Sequence, residues 1–489
     1  MPPAPSAARR VLFWLSLIAF TLLATLGSGE LFLRVVYRDR GHTTLGGPGG
    51  GPFDYTYNPA GSNPEERQPF VTGSKHPGVT RIMIQGDSIT WGVGVRRWQD
   101  LYPSRLLSFL RRDNGRYDMA VYATPGFNID RHRITIERVI DDVSPEVLIY
   151  QWYPNDLEIG MRPPDPKLWW QQRAGHNALR DWSFLYYFLD LRADRMMRHP
   201  YREHLLNDFP EGSEAWARFL DQFHRWAVQA STKVPRTIVL LYPQVPFRGV
   251  NPLQPLHDRM TRLVTGTTRF VQPAGALPGD VGRHEADRTA QGAEIQRSLG
   301  ESGTLVRGRR LPLAPGSYTL TCRLRLDAPP QQGDALGAVR VVAEEGREEL
   351  SARALRQTDF AAVGAWTNVD VPFTTVEAPL NPTVQFLVEV LPGVHLSVDT
   401  LAFPVHYRRL EVLDPTDLLN TFDTHASVFD AHPNARTHEV LAELLYARIK
   451  SPPGPQPGEG PVGRTLRVRP LSPATSTRSG NRSSSNPSE

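Results

Sequence analysis

Apolar residues follow three different rhythms along this chain, separated by stretches that have none. From Val11 to Gly29 an uncharged, strongly apolar run follows Arg9 and Arg10. It reaches the roughly 18 to 20 residues that an α-helix needs to cross a bilayer. The apolar character continues through LFLRVVYRDR, in which Arg34 and Arg38 can snorkel to an interface. Gly27 and Gly29 are small residues that would suit a signal-peptide cut, yet the continuation favours a retained anchor. Arg9 and Arg10 on one side face Arg34, Arg38 and Arg40 on the other, so counting charges does not fix the orientation. The next stretch, TTLGGPGGGPFDYTYNPAGSNPEE, has little periodicity and reads as a spacer. It is no phosphate loop, because no lysine and serine or threonine follow at P-loop spacing.

The second rhythm begins at Thr80. TRIMIQGDSITWGVGV reads as a short strand and a sharp turn, and Leu106, Leu107 and Leu110 then recur at helix spacing. YDMAVYA, EVLIYQWY and RTIVLLYP are further strands, with helical stretches at RHRITIERVIDDV and around Trp216 to Val228 between them. Strands alternating with helices predict an α/β unit whose parallel sheet is covered on both faces, with its site at the carboxyl ends of the strands. Ser88, Gly126 and Asn155 each follow such an end, so three loops are expected to converge on one crevice.

The third rhythm has period two and starts near Gly303. In SYTLTCRLRL, Tyr318, Leu320, Cys322, Leu324 and Leu326 face one way and the threonines and arginines the other, which predicts a buried, unreactive Cys322. Similar segments around Val339 to Val342, Asn368 to Phe373, Thr383 to Val390 and His395 to Val398 predict an all-β sandwich or jelly roll. The helix near Leu256 to Val264 and the strand RLEVL flank this region, so it reads as an insertion into the α/β unit. After Lys450 periodic apolar residues cease, which predicts a disordered tail.

Composition refines this picture. The 489 residues include 44 prolines and 39 glycines, and these belong to the spacer, the turns and the tail. One cysteine excludes an intrachain disulfide framework and any cysteine-built metal site. The net charge of +4 invites a nucleic-acid reading, but only Lys75, Lys167, Lys233 and Lys450 are lysines, and the arginines are scattered among 51 acids. Without a dense basic run and interleaved aromatics, no nucleic-acid partner is expected. No metal and no cofactor are expected either.

GDSITWGVGV followed by YPSRLL, the glycine of TPGFN, the YPND stretch and FDAHPNARTHEVLAELL resemble, in order, the signature blocks of the SGNH (GDSL-type) hydrolase family. The resemblance covers roughly residues 79–270 and 405–450. It implies a three-layer, flavodoxin-like parallel sheet with Ser88 as nucleophile, His432 as general base, and Ser88, Gly126 and Asn155 as oxyanion-hole donors. In that family a glycine usually stands two residues before the asparagine, where this chain has Tyr153 followed by Pro154, and the tyrosine ring can narrow an acyl pocket. The position three before the histidine is Phe429, so Asp430 is expected to be the triad acid, with Asp423 as the fallback. His425 and His438 are expected at the surface or on a helix.

The expected organisation is therefore a transmembrane anchor or uncleaved signal (1–30), a juxtamembrane spacer (31–78), a hydrolase unit in two parts (79–270 and 405–450), an inserted carbohydrate-binding-like β-sandwich (271–404) and a tail (451–489). LPLAPGSYTLTCRLRL, AWTNVDVPF and LSVDTLAF loosely resemble carbohydrate-binding jelly rolls, although core packing is the better expectation for Trp366. Trp169, Trp170, Trp182, Phe184, Tyr186, Tyr187 and Phe188 follow the Asn155 loop and read either as a cover over the crevice or as packing onto the sheet. The expected function is an SGNH-type serine esterase that hydrolyses acyl, specifically acetyl, esters on cell-envelope or extracellular glycans. It would be held at a bacterial-type envelope by its N-terminal helix, with the catalytic unit on the extracytoplasmic side. Two alternatives are an O-acyltransferase using the same triad and a non-catalytic, tethered glycan-binding protein.

Overall fold

The computed structural model describes residues 7–37, 75–159, 179, 182–197, 199–244 and 250–452, apart from 94, 96, 114, 212, 267, 293, 332, 344, 345, 377–382, 406, 408, 428 and 429. Most of the expected spacer, nearly all of the expected tail and the Trp169–Trp170 pair lie outside the described residues.

The chain opens with α1 (Ala7–Tyr37), β1 (Thr80–Gly86), α2 (Ser88–Trp91), α3 (Tyr102–Arg112), β2 (Tyr117–Ala123), α4 (Ile129–Val143) and β3 (Val147–Trp152). It continues with α5 (Phe184–Met197), α6 (His199–Asn207), α7 (Glu214–Lys233), β4 (Arg236–Leu241) and α8 (Gln254–Thr265). Strands β5 (Thr268–Pro273), β6 (Arg283–Ala286), β7 (Glu294–Arg297), β8 (Gly303–Arg307), β9 (Leu311–Pro312), β10 (Gly316–Leu326), β11 (Ala335–Ala343) and β12 (Glu348–Arg356) follow. Then come β13 (Trp366–Thr375), β14 (Thr383–Val390), β15 (Leu396–Val405), β16 (Leu410–Leu413), α9 (Thr416–Leu419), β17 (His425–Ser427), β18 (Asp430–Pro433) and α10 (Ala435–Lys450).

Five strands form a wholly parallel sheet in the order β16-β4-β3-β1-β2. Strands β3 and β4 are buried along their whole length, as expected where both faces of a sheet are covered. Alternation divides their side chains. Met83, Leu148, Tyr150, Trp152 and Val239 pack with Ile136 and Ile140 of α4, with Phe219, Phe223 and Trp226 of α7, and with Met260 of α8. Ile82, Ile84, Ile149, Ile238 and Leu240 face the other way, onto Leu106, Leu107 and Leu110 of α3 and Leu441 and Leu445 of α10. The strand order reverses at β1, which has β2 on one side and β3 on the other, and such a switch point opens a crevice at the carboxyl ends of the strands.

Between β4 and β16 in sequence lie two antiparallel sheets, one in the order β13-β10-β15-β7-β6 with β5 paired to β15, the other β12-β11-β14-β8 with β9 paired to β14. Their inner residues share one core, where Phe386 of the second sheet meets Phe373 and Phe403 of the first at 5.8 and 5.3 Å between ring centres. Leu320, Cys322, Leu324 and Leu326 are all buried, so the period-two reading of β10 holds. Trp366 is not a core residue. It is half-buried on the opposite face, with the guanidinium groups of Arg323 and Arg325 at 4.9 and 4.6 Å from its ring centre and its Nε1 donating to Thr289 Oγ1 at 3.0 Å. Arg323 and Arg325 belong to the outward set of β10, and cation–π attraction places the tryptophan with them.

Helix α1 runs beyond the anchor boundary expected at residue 30, through LFLRVVY to Tyr37, and its Val11–Val35 stretch is long and apolar enough to cross a membrane. Its described side chains are exposed from Val11 to Ser28, whereas Leu33 is buried against Phe184 and Tyr187 of α5.

Candidate active site

Strand β1 ends at Gly86, and Ser88 begins α2 two residues later. Asp87 forms the N-cap of that short helix, its carboxylate accepting from Ile89 N at 2.9 Å. The turn is tight. A Cβ on Gly86 would fall 1.9 Å from Thr90 Oγ1 and 2.7 Å from Gln151 Oε1, so only glycine fits at this strand end. Gln151, a buried polar residue near the end of β3, accepts from Asp87 N at 3.2 Å and from Thr90 Oγ1 at 3.0 Å. Those bonds lock the turn onto the neighbouring strand.

His432 arrives from the far end of the sequence on the β17–β18 hairpin, and its Nε2 lies 3.0 Å from Ser88 Oγ. Both residues are half-buried. Two residues hold the hairpin and the helix after it. Asn434 caps α10 by accepting from Thr437 N at 2.9 Å, and its amide donates to the carbonyls of Asp423 and His425 at 2.7 and 3.2 Å. At the other end of α10, Arg236 of β4 donates to the carbonyls of Arg448, Ile449 and Ser451 at 2.8 to 3.1 Å, satisfying orphan groups of the helix C-terminus.

His438, expected at the surface or on a helix, is helical but wholly buried in α10. It accepts from Tyr102 N at 3.1 Å and stacks on the Tyr102 ring, and burial pushes its pKa down to about 3, so it is a neutral packing group between α3 and α10. His425 Nδ1 lies 3.2 Å from Asp423 Oδ1, and the Asp423 side chain is 67% exposed. Asp423 is therefore engaged with His425. Asp430 pairs with Ser427 in the hairpin backbone, and its side chain lies outside the described residues.

Gly126 occupies the exposed turn between β2 and α4. Phe127 N donates to Thr124 O at 3.1 Å, and Gly126 has φ +78°, with Pro125 before it. This is the type II pattern, with proline at the second position and glycine at the third. The register Gly86↔Ala123 in the parallel pair β1–β2 brings this turn beside the one that carries Ser88.

Asn155 lies in the 3₁₀ turn Pro154–Leu157 directly after β3. Its Nδ2 donates to Asp87 Oδ2 at 3.1 Å, while Asp156 braces the loop by accepting from Tyr153 N at 3.0 Å. Tyr153 is half-buried, with its ring 6.3 Å from that of Tyr242.

A layer of buried polar groups that the sequence reading passed over supports these loops. Burial raises the pKa of Asp87, opposed by bonds from Ile89 and Asn155, and burial raises that of Asp156 well above the usual carboxylate range. His132 Nε2 is 3.6 Å from Asp156 Oδ1, and burial pushes the His132 pKa down to about 3. One signal for this layer stood in the sequence. Gln85 and Gln151 each follow directly on an apolar run in their strands, and each proves to be fully buried and hydrogen-bonded. The described geometry joins Ser88 to His432 and Asn155 to Asp87, and it places Gly126 on the adjacent strand end.

No family model matches the chain, and no curated protein matches it either. Several solved structures resemble parts of it. The C-terminal CBM6 of LamC from Zobellia galactanivorans is 15% identical over 28% of this chain and 100% of its own, with a TM-score of 0.22. TesA is 12% identical over 34% of this chain and 62% of its own (TM-score 0.21). The lipase Lip_vut3 from a goat rumen metagenome is 15% identical over 38% of this chain and 76% of its own (TM-score 0.24).

Proposed function

We propose that this chain is a serine esterase that hydrolyses acyl esters through an acyl-enzyme, with Ser88 as nucleophile and His432 as general base. The observation that carries this reading is the 3.0 Å contact between Ser88 Oγ and His432 Nε2 at the carboxyl end of a parallel sheet. A serine hydroxyl is a weak nucleophile at neutral pH and needs a base within hydrogen-bond reach. As Oγ attacks the acyl carbonyl, its proton passes to His432 Nε2, and the alcohol then leaves with that proton. Water, deprotonated by the same imidazole, releases the acid and restores Ser88. The oxyanion formed at each step is held by the backbone N–H groups of Ser88 and Gly126 and by the Asn155 amide. One amide hydrogen is committed to Asp87, which leaves the second for the substrate. Asp430 orients the imidazole in this reading.

The organisation we propose is an SGNH-type unit in two sequence parts, 79–270 and 405–450, interrupted by a carbohydrate-binding-like β-sandwich at 271–404. The return of the chain to the parallel sheet at β16, after eleven antiparallel strands among the described residues, supports it. Helix α1 is read as a retained anchor at a cell envelope, with the catalytic unit on the extracytoplasmic side and acetylated glycans as substrates.

The test is acetate release by the detergent-solubilised full chain from nitrophenyl acetate and acetylated xylan, with and without a sugar acceptor, in wild type and Ser88→Ala. Release and fluorophosphonate labelling of wild type, both lost in the variant, are expected. Transfer to the acceptor in place of release would make the enzyme an acyltransferase. Wild type that neither labels nor turns over would sink the enzymatic reading.

A further inference from the structure

Glu30, the one acid in the apolar stretch of α1, does not face solvent alone. Its carboxylate accepts from Phe184 N at 3.1 Å, Leu185 N at 2.8 Å and Ser183 Oγ at 2.8 Å. These are groups at the start of α5, where a helix leaves backbone N–H groups unpaired and favours a negative charge. Arg34, one turn further on, bonds Glu30 and donates to Trp182 O at 2.7 Å, and its guanidinium lies 5.1 Å from the centre of the Phe184 ring. Leu33 is buried between Phe184 and Tyr187. The C-terminal end of α1 is thus a docking post for the segment that begins α5.

The level of this post follows from helix geometry. Nineteen residues of rise from Val11 to Glu30 amount to about 28 Å, against a hydrocarbon core of about 30 Å. If α1 spans a bilayer, the 182–185 segment lies where the apolar core meets the headgroups. The exposed residues there have the chemistry of that boundary. Leu179, Trp182 and Leu189 are 49%, 75% and 52% exposed. Ser183 caps α5, its Oγ accepting from Tyr186 N at 3.1 Å and its carbonyl from Tyr187 N, while its own N–H donates to Leu179 O. Within α5, Leu189 stands roughly 160° around the helix from Tyr187, on the side away from the contact with α1. Phe184 and Tyr187 are buried against α1 while Trp182, Leu189 and Leu179 stay exposed beside it, so large apolar side chains are left facing outward next to the end of the apolar helix. Tryptophan favours the membrane–water boundary.

We infer that Leu179 and residues 182–189 form a lipid-contacting surface that lies along the headgroup boundary beside the end of α1. This rests on the reading of α1 as a membrane span. The surface joins the anchor to the folded unit, because α6 follows α5 directly and His204 Nε2 of α6 lies 3.7 Å from Glu158, three residues after Asn155.

The only native thiol, Cys322, is buried, so an introduced cysteine can be labelled alone. Full-length Trp182→Cys, Leu189→Cys, Leu22→Cys and Val363→Cys, each carrying a fluorophore, would be reconstituted into phosphatidylethanolamine/phosphatidylglycerol vesicles. Quenching by shallow nitroxide lipid and by aqueous iodide is then compared. Labels at 182 and 189 are expected to be quenched by the lipid nitroxide at least about threefold more than the label at 363, as suits residues at the interface. Labels at 182 and 189 that behave like 363, while the label at 22 is quenched by lipid, would overturn the surface and leave the span standing. A label at 22 open to iodide would overturn both. Trp182 and Leu189 are exposed, so their replacement spares the core, and the emission of native Trp182, taken as the difference between wild type and Trp182→Phe, gives a second reading that introduces no cysteine.

Discussion

The Asn155 amide donates to the buried carboxylate of Asp87 at 3.1 Å, so the residue before Ser88 holds the side chain proposed to receive the oxyanion. Asp87 is itself fixed by Ile89 N and Gln151 Oε1, which ties the nucleophile turn and the Asn155 loop into one unit. Asn155→Ala removes the donor and is expected to lower kcat on an activated acyl ester by about 10² to 10³. Asp87→Ala leaves the donor in place but without its buried acceptor, a loss of about 1 to 3 kcal/mol that corresponds to roughly five- to 150-fold in kcat. Asp87→Asn keeps an oxygen acceptor and should recover part of the loss. Steady-state kinetics on the three variants check the order; Asn155→Ala within a few-fold of wild type would remove it from the oxyanion site.

The two candidate acids near His432 should separate cleanly. Asp423 is largely exposed and engaged with His425, so Asp423→Asn is expected to leave kcat near wild type. Asp430→Asn is expected to lower kcat by about 10³ to 10⁴, the cost of losing the group that orients the imidazole and stabilises its protonated form. The reverse order, measured on the same ester, would move the acid to Asp423.

At Gly126 the structure separates backbone strain from crowding. A Cβ there would have no atom within 4 Å, so Gly126→Ala meets no steric obstacle, only the positive φ of +78°. The expected destabilisation is about 1 to 2 kcal/mol, as for a non-glycine residue held in the left-handed region. A larger fall in activity than in stability would follow if the turn relaxes and carries its N–H out of position. Comparing thermal midpoints with kcat for Gly126→Ala and Gly126→Asn tests this, since asparagine tolerates the conformation better.

The parallel-sheet architecture was legible because strand and helix alternate on different periods, and because β3 and β4 are uniformly apolar. The period-two reading also placed Cys322 inside. Trp366 went the other way because periodicity assigns a residue to a face and does not say which charged neighbours share that face. Arg323 and Arg325 made the outward side favourable for an aromatic ring. Ser88 and His432 are 344 residues apart, and only the order of the motifs hinted that they meet at 3.0 Å. The buried layer of Asp87, His132, Gln151 and Asp156 was hidden for a different reason. Polar residues in a sequence read as exposed unless a neighbour's chemistry shows that burial is satisfied, and those neighbours come from β1, α4 and β3 together.

That layer makes acid sensitivity predictable at His132. The ring is fully buried, both nitrogens lack a hydrogen-bond partner among the described residues, and its edges meet the rings of Phe127 and Tyr150 at 5.7 and 5.1 Å. Burial lowers the pKa from the ordinary 6.5 to about 3. The unfolded chain therefore takes up a proton below about pH 6.5 that the folded chain refuses until about pH 3. Stability contributed by the neutral ring is complete above pH 6.5 and is lost as the pH falls toward 3, at up to about 1.4 kcal/mol per pH unit. Phenylalanine has nearly the same shape, suits an aromatic surround and cannot titrate. His132→Phe is therefore expected to match or exceed wild type at pH 7 and to gain on it by about 2 kcal/mol by pH 5. Denaturant unfolding in detergent at pH 7, 6 and 5 measures the difference. Equal slopes for the two proteins would mean that His132 is charged, or solvated, in the folded state. His224 and His438, which burial holds at about 4 and about 3, should account for acid sensitivity that persists in the variant.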